Sequence, residues 1–275
     1  MDIDKKYELL KEIIHNLGRA AVAFSGGVDS SLLCKVTHDE LGDDSLAITV
    51  VSPMLPQSEI ELAQELAAFV GIRHLLIEDP EIEEEVAENP ADRCYFCKKI
   101  EFGSIAAAAS EQGIKYVLDG SNHDDILDYR PGLKALSELG IVSPLREVEL
   151  TKNEIRQLSK SLNLKTWNKP AFACLASRIP YGERISAPKL KKIERAEDYL
   201  REQGFRQFRV RSHEDIARIE VAPEEREKLF DGEKMDAVSV QLKSLGFLYV
   251  CMELEGYKTG SLNRAIGGSS EAAHG

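Results

Sequence analysis

Cysteine, tryptophan and long apolar runs are what this chain has least of. There are five cysteines and one tryptophan in 275 residues. Five is an odd number, and so few thiols in a chain this long argue against a disulfide framework. No apolar run approaches the roughly 18 residues needed to cross a bilayer. The start, "MDIDKKYELLKEII", is charged and amphipathic with no signal-peptide core. The expectation is a cytoplasmic protein without a membrane partner. Positive charge is also short: 35 Lys and Arg against 47 Asp and Glu leave a net charge of −12. Proteins that grip RNA or DNA over a large surface carry a basic footprint, so a large nucleic acid is disfavoured, although a local basic pocket is not.

What remains is an ordinary soluble composition, 43% hydrophobic and 30% charged, with length enough for two domains. The first 165 residues alternate two patterns. "RAAVAF" (19–24), "SLAITVV" (45–51), "RHLLIE" (73–78), "KYVLDG" (115–120) and "IVSPL" (141–145) are short, nearly continuous apolar runs that predict strands of a parallel sheet covered on both faces. Between them "SSLLCKVTHDEL", "SEIELAQELAAFV" and "KKIEFGSIAAAASEQ" have helical spacing, each with a glycine close behind. This alternation predicts a doubly wound α/β domain over 1–165. Thr151 and Glu154 have capping-box spacing at the start of a further helix.

Residues 166–186, with two prolines, are expected to be a linker. Residues 187–265 predict a smaller α+β domain, with a helix over about 188–203, strands in "FRQFRVRSH", "IARIEV" and "LYVCMEL", and a helix ending near Gly246. The last ten residues, 266–275, are expected to fray. The acidic run from Glu78 to Glu88 reads as a solvated face. Cys34 and Cys251 fall in apolar helix and strand patterns and read as core.

The sharpest motif is "AFSGGVDSS" (23–31), which follows the first strand and opens the first helix of the alternation. Gly26 and Gly27 allow a sharp turn and a close backbone approach to a ligand. Helix N-terminal N–H groups and the hydroxyls of Ser25, Ser30 and Ser31 then make an anion site, most naturally for phosphate. No lysine follows the glycines, so this is not a Walker loop. Asp29 suits phosphate only with Mg²⁺ between them.

The whole "SGGVDSS" resembles the SGGxDS loop of the N-type ATP pyrophosphatases (PP-loop), a group that includes NAD and GMP synthetases and tRNA-thiolating enzymes. The resemblance implies ATP cleaved to AMP and pyrophosphate, with the substrate activated as an adenylate. Three further stretches, "LDGSNHDDILDYRPGLKA" (118–135), "WNKPAFACLASRIPYG" (167–182) and "FRVRSHEDIARIE" (208–220), narrow it. Together with the loop they resemble the LarE family, over about residues 15–263. Those enzymes insert sulfur into the carboxylates of a pyridinium mononucleotide during nickel-pincer cofactor synthesis, and the likeness implies a homo-oligomer.

Within that resemblance Cys174 occupies the sulfur-bearing position. The additional pair Cys94 and Cys97, in "CYFC", resembles members that hold a [4Fe–4S] cluster on three cysteines and deliver sulfide from it. On the residues alone, C-x-x-C also suits half a zinc site, a redox dithiol or packing. The likeness further implies a substrate-phosphate site at Glu197, Arg209 and Arg211. Arg209 and Arg211 lie two apart on an expected strand, so both leave one face. Arg178 and Arg130 are candidates for oxyanion or phosphate contacts. Lys98, with Lys99 beside it, is a candidate for facing developing negative charge. An NAD-synthetase-like amidoligase, a tRNA-thiolating enzyme and a non-catalytic nucleotide-binding module are the rival readings. An amidoligase has no use for three cysteines, and the acidity of the chain weighs against tRNA.

Overall fold

The computed structural model describes residues 1–127, 132–170 and 173–258. In chain order the elements are α1 (Ile3–Leu17), β1 (Ala20–Ala23), α2 (Val28–Leu41), β2 (Ser45–Val51), α3 (Gln57–Val70), β3 (Arg73–Glu78), α4 (Glu84–Ala87), α5 (Arg93–Glu111), β4 (Tyr116–Leu118), α6 (Gly132–Glu138), α7 (Pro144–Glu147), α8 (Lys152–Ser161), α9 (Ala187–Glu202), β5 (Phe208–His213), β6 (Ile216–Val221), α10 (Gly232–Ser244) and β7 (Tyr249–Met252). They fall into two compact units. The first comprises 1–80 and 92–172, the second 81–91 and 173–275.

The first unit has the α/β fold that the alternation predicted. Its four strands are all parallel, in the order β3-β2-β1-β4. The apolar runs are continuous because both faces are covered. Ala20, Val22 and Ala47 join one core with Leu32, Leu33, Ile155 and Leu158, while Ala21, Leu46 and Ile48 join another with Phe102, Ile105 and Leu136. Fully burying one such aliphatic side chain contributes about 1.5–3 kcal/mol, so the sheet is the rigid part on which the loops are mounted. β1 pairs with β2 on one side and β4 on the other, so the strand order reverses at β1. In open α/β sheets ligands bind outside the carboxyl ends of the strands at such a reversal.

One predicted strand is not formed. "IVSPL" makes a single parallel bridge, Leu118 to Val142, and then turns into α7. Pro144 has no N–H to give to a ladder and is preset for a helix N-terminus, which ends the pairing after one residue. The capping box at α8 is present: the Thr151 side chain accepts from the Glu154 N–H and the Glu154 carboxylate accepts from the Thr151 N–H.

The second unit carries a three-stranded mixed sheet, β5-β6-β7, with β5 antiparallel and β7 parallel to β6. Phe208, Val210, Ala217, Ile219 and Val221 face a core shared with Ala196 and Leu200 of α9 and Val238 and Leu242 of α10. Cys34 is fully buried, as read from the sequence, but Cys251 is exposed. The correction follows from topology, because β7 is an edge strand and Cys251 lies in register with Arg218 on the face away from that core. The acidic run is a solvated face with two inward exceptions, Val86 and Ala87. It is tied within the second unit by Asn89, whose side-chain amide donates to the carbonyls of Pro180 (2.7 Å) and Glu183 (3.0 Å).

Candidate active site

At the carboxyl end of β1 the chain turns through Ser25, Gly26 and Gly27 into α2. Gly26 adopts φ +67°, a left-handed conformation that strains any side chain, and a Cβ there would lie 3.4 Å from the Cβ of Ala63 on α3. Gly27 is the N-cap of α2. The Ser30 hydroxyl donates to the Gly27 carbonyl at 3.3 Å and lies 3.3 Å from the Ser25 hydroxyl. The Ser31 hydroxyl is buried and has no hydrogen-bond partner among the described residues. A helix N-terminus with two serine hydroxyls in its first turn fits an anion, and an orphaned buried hydroxyl is a group that a phosphate oxygen would satisfy.

Around that turn the structure gathers residues that the sequence reading missed. Gly120, just past β4, packs so closely on α2 that a Cβ would sit 3.1 Å from the Ser30 nitrogen. The Asn122 amide donates to Asp29 Oδ1 at 3.2 Å, and Lys152 forms an ion pair with Asp29 Oδ2. Lys169 Nζ donates to the Gly26 carbonyl at 3.1 Å and pairs with Glu59 Oε2 at 2.6 Å. Asp119, buried at the end of β4, accepts from the Ser121 N–H (3.0 Å) and from the hydroxyls of Ser121 and Ser143. One local signal did exist. Lys152 is the first helical residue after the Thr151 cap, where a cation opposes the helix dipole and therefore calls for an anionic partner.

Cys94 and Cys97 lie in the first two turns of α5, three residues apart on one helical face, exposed and half-buried respectively. Lys98 Nζ donates to Glu101 at 2.9 Å and lies 4.8 Å from the centre of the Phe102 ring. Burial alone would lower the pKa of this ammonium, but Glu101, then Cys97 and Asp119, outweigh it and hold Lys98 above the ordinary lysine range. Lys98 therefore stays charged beside Cys97. Lys99 is exposed over the Tyr95 ring, 5.6 Å from its centre.

In the second unit Cys174 is exposed and caps a short 3-10 turn, Leu175–Arg178. Arg178, fully buried, is enclosed by protein acceptors. Its Nε and Nη2 donate to the two oxygens of Glu197 at 2.9 and 2.8 Å, and its Nη1 donates to the carbonyls of Ala173 and Cys174 (3.0 Å for the latter). Glu197 Oε1 also accepts the Val210 N–H at 2.9 Å, closing an amide on the outer edge of β5. Arg211 donates to the Ser177 carbonyl at 2.7 Å and to Glu220 at 2.8 Å, and Arg218 reaches the other oxygen of Glu220 at 3.1 Å.

Arg209 and Arg211 do leave the same face of β5, and their register partners on β6 are Glu220 and Arg218. Arg209 lies 5.1 Å from the Tyr257 ring centre, and burial, then the Arg178 charge, push its pKa below the usual arginine value. Cys174, Arg178, Glu197 and Arg211 are thus one connected cluster. Arg130 lies outside the described residues. Among the described residues no three Cys, His, Asp or Glu side chains are grouped so as to hold a metal ion, and no helix is long and apolar enough to cross a membrane.

Comparison with known proteins places this geometry in a family. Residues 14–227 match the asparagine synthase family. An uncharacterized protein of Synechocystis sp. is 44% identical over 96% of this chain and 99% of its own length. The pyridinium-3,5-bisthiocarboxylic acid mononucleotide synthase of Lactiplantibacillus plantarum is 40% identical over 95% of both chains. An uncharacterized protein of Methanocaldococcus jannaschii is 31% identical over 91% of this chain and 94% of its own. The chain is a member of the asparagine synthase family of PP-loop proteins and belongs to the LarE family.

Proposed function

We propose that this chain is an ATP-dependent sulfur transferase that adenylates a carboxylate of a pyridinium mononucleotide and replaces a carboxylate oxygen with sulfur. The observation that carries the reading is the glycine turn at the end of β1, where the N-terminus of α2, two buried serines and Asp29 meet at the reversal of the sheet. Backbone N–H groups there bind the ATP phosphates. Asp29 fits a divalent cation, since its present partners are one ammonium and one amide that can release it. Mg²⁺ held by Asp29 would neutralise phosphate charge. The substrate carboxylate attacks the α-phosphorus, the bond to pyrophosphate breaks, and an acyl adenylate forms. A sulfur nucleophile then adds to the carbonyl and AMP leaves.

Cys94, Cys97 and Cys174 have the right donor chemistry and accessibility to hold a [4Fe–4S] cluster, which when bound supplies sulfide for the second step. Lys98, charged beside Cys97, stabilises negative charge as it develops. Arg209 and Arg211 take the phosphate of the mononucleotide, and Arg178 with Glu197 holds the turn that begins at Cys174. Arg130 is a further phosphate or oxyanion contact. A homo-oligomer is supported by the large apolar side chains that the second unit exposes, among them Val240, Leu248, Tyr249 and Leu254.

The test is an anaerobic incubation with ATP, Mg²⁺ and the pyridinium dicarboxylate mononucleotide. Pyrophosphate, AMP and a product heavier by the difference between sulfur and oxygen are expected. Formation of ADP, or of an amide when ammonia is supplied, would sink the reading.

A further inference from the structure

We infer that Lys169 is a positioning residue for the phosphate loop: by holding the Gly26 carbonyl it aims the next backbone N–H, that of Gly27, at the phosphates. The inference rests on the ATP-using reading above and deepens it. In a trans peptide the C=O and the following N–H point to opposite sides of one rigid plane, so fixing either fixes both. The Gly26–Gly27 peptide lies between two glycines, the residues with the least intrinsic preference for one orientation. Something outside the loop has to choose. Lys169 Nζ does so with a hydrogen bond of 3.1 Å to the Gly26 oxygen, and Glu59 Oε2, 2.6 Å away in the first turn of α3, keeps the ammonium in place.

The backbone of Lys169 is itself held at two points. Its N–H donates to the Thr166 carbonyl at 2.9 Å, and its carbonyl accepts from Arg156 Nη2 at 2.8 Å. Arg156 Nη1 donates in addition to the Trp167 carbonyl at 2.8 Å. Arg156 stands one helical turn after Lys152 on α8, so a single face of that helix reaches both sides of the loop. Lys152 holds the Asp29 carboxylate, and Arg156, by way of Lys169, holds the glycine peptide. Because Lys169 is paired with Glu59, its charge is already matched. Its contribution is to direction.

The test compares two ligands that share a base and sugar but differ in phosphates. Calorimetric titrations of the full chain with ATP·Mg²⁺ and with adenosine are made for the wild type, Lys169→Met and Lys169→Arg. Lys169→Met keeps the apolar stem and removes the donor, so its affinity for ATP·Mg²⁺ is expected to fall about tenfold, as for loss of one charge-assisted hydrogen bond. Adenosine affinity is expected to stay the same, and Lys169→Arg, which keeps a cationic donor, to remain within about threefold of wild type on ATP·Mg²⁺. Unchanged ATP·Mg²⁺ binding by the methionine variant, or an equal loss for both ligands, overturns the inference. Should Lys169→Met fail to fold, Lys169→Met combined with Glu59→Gln, which removes the donor without leaving a bare carboxylate, is judged by the same outcomes. A wild type that binds no ATP·Mg²⁺ would instead count against the proposed function.

Discussion

Asp29 and Lys152, 123 positions apart in the chain, form one ion pair beside the glycine turn that closes β1. The pair joins the first turn of α2 to the first turn of α8, and both groups belong to the side of the loop where phosphate is expected.

Asp29→Ala should therefore separate chemistry from folding. The change lies in a turn that faces the ligand, so a native-like circular dichroism spectrum is expected. Pyrophosphate release should drop by about a hundredfold or more, the scale on which loss of one electrostatic group acts on a transition state. Undiminished pyrophosphate release would take Asp29 out of the mechanism.

Arg178 and Glu197 should behave in the opposite way, as determinants of stability first. Both are buried, and removing either leaves the other charge without its partner. Arg178→Met is expected to lose about 3–5 kcal/mol in urea unfolding, the usual cost of breaking a buried pair from one side. Adding Glu197→Leu should recover part of that loss, since the stranded carboxylate is then gone. Full additivity of the two losses would mean the residues are energetically independent.

Three of the four cysteines outside the core, Cys94, Cys97 and Cys174, divide two ways of supplying sulfur. If they hold a cluster, changing any one of Cys94, Cys97 or Cys174 to serine should remove the iron and the brown colour. The wild type, given sulfide and reductant, should turn over repeatedly with Cys174 intact. In a sacrificial enzyme only Cys174→Ser would be inactive, and the wild type would stop after one turnover with that residue lighter by the mass of H₂S. Dehydroalanine at position 174, found by intact-mass spectrometry, would end the cluster proposal even with iron present.

The sequence made the α/β domain legible because each part of its signal is local. Strand runs, helix periods, the Thr151–Glu154 box and the glycine turn are all contained within a few residues. Asn122, Lys152 and Lys169 were not legible, since they reach Asp29 and Gly26 across 93, 123 and 143 positions. A lysine at the start of α8 in "TKNE" calls for an anion without saying which one, and nothing in "NKPA" announces a partner. The failure at "IVSPL" has a different origin: the apolar pattern was right for a strand, but Pro144 ended it. Cys251 was misjudged because alternation does not say which strand is at the edge. The arginines of β5 were read correctly as sharing a face, whereas the carboxylates opposite them appear only once the strands are in register.

The charges beside the phosphate loop have a consequence for how a nucleotide arrives. Lys152 and Lys169 are each neutralised by a carboxylate, Asp29 and Glu59, so before ligand enters these four side chains contribute no net field. The chain as a whole, at −12, repels a polyanion. Attraction must then come from short-range sources, the N–H groups of the turn and the end of α2, and from whatever cation travels with the phosphates. Such a site captures by fit at contact distance rather than by long-range steering. Ionic strength would act on its encounter rate only by screening, beyond about 10 Å, the repulsion from the chain as a whole, because the four side chains beside the loop add almost no field of their own.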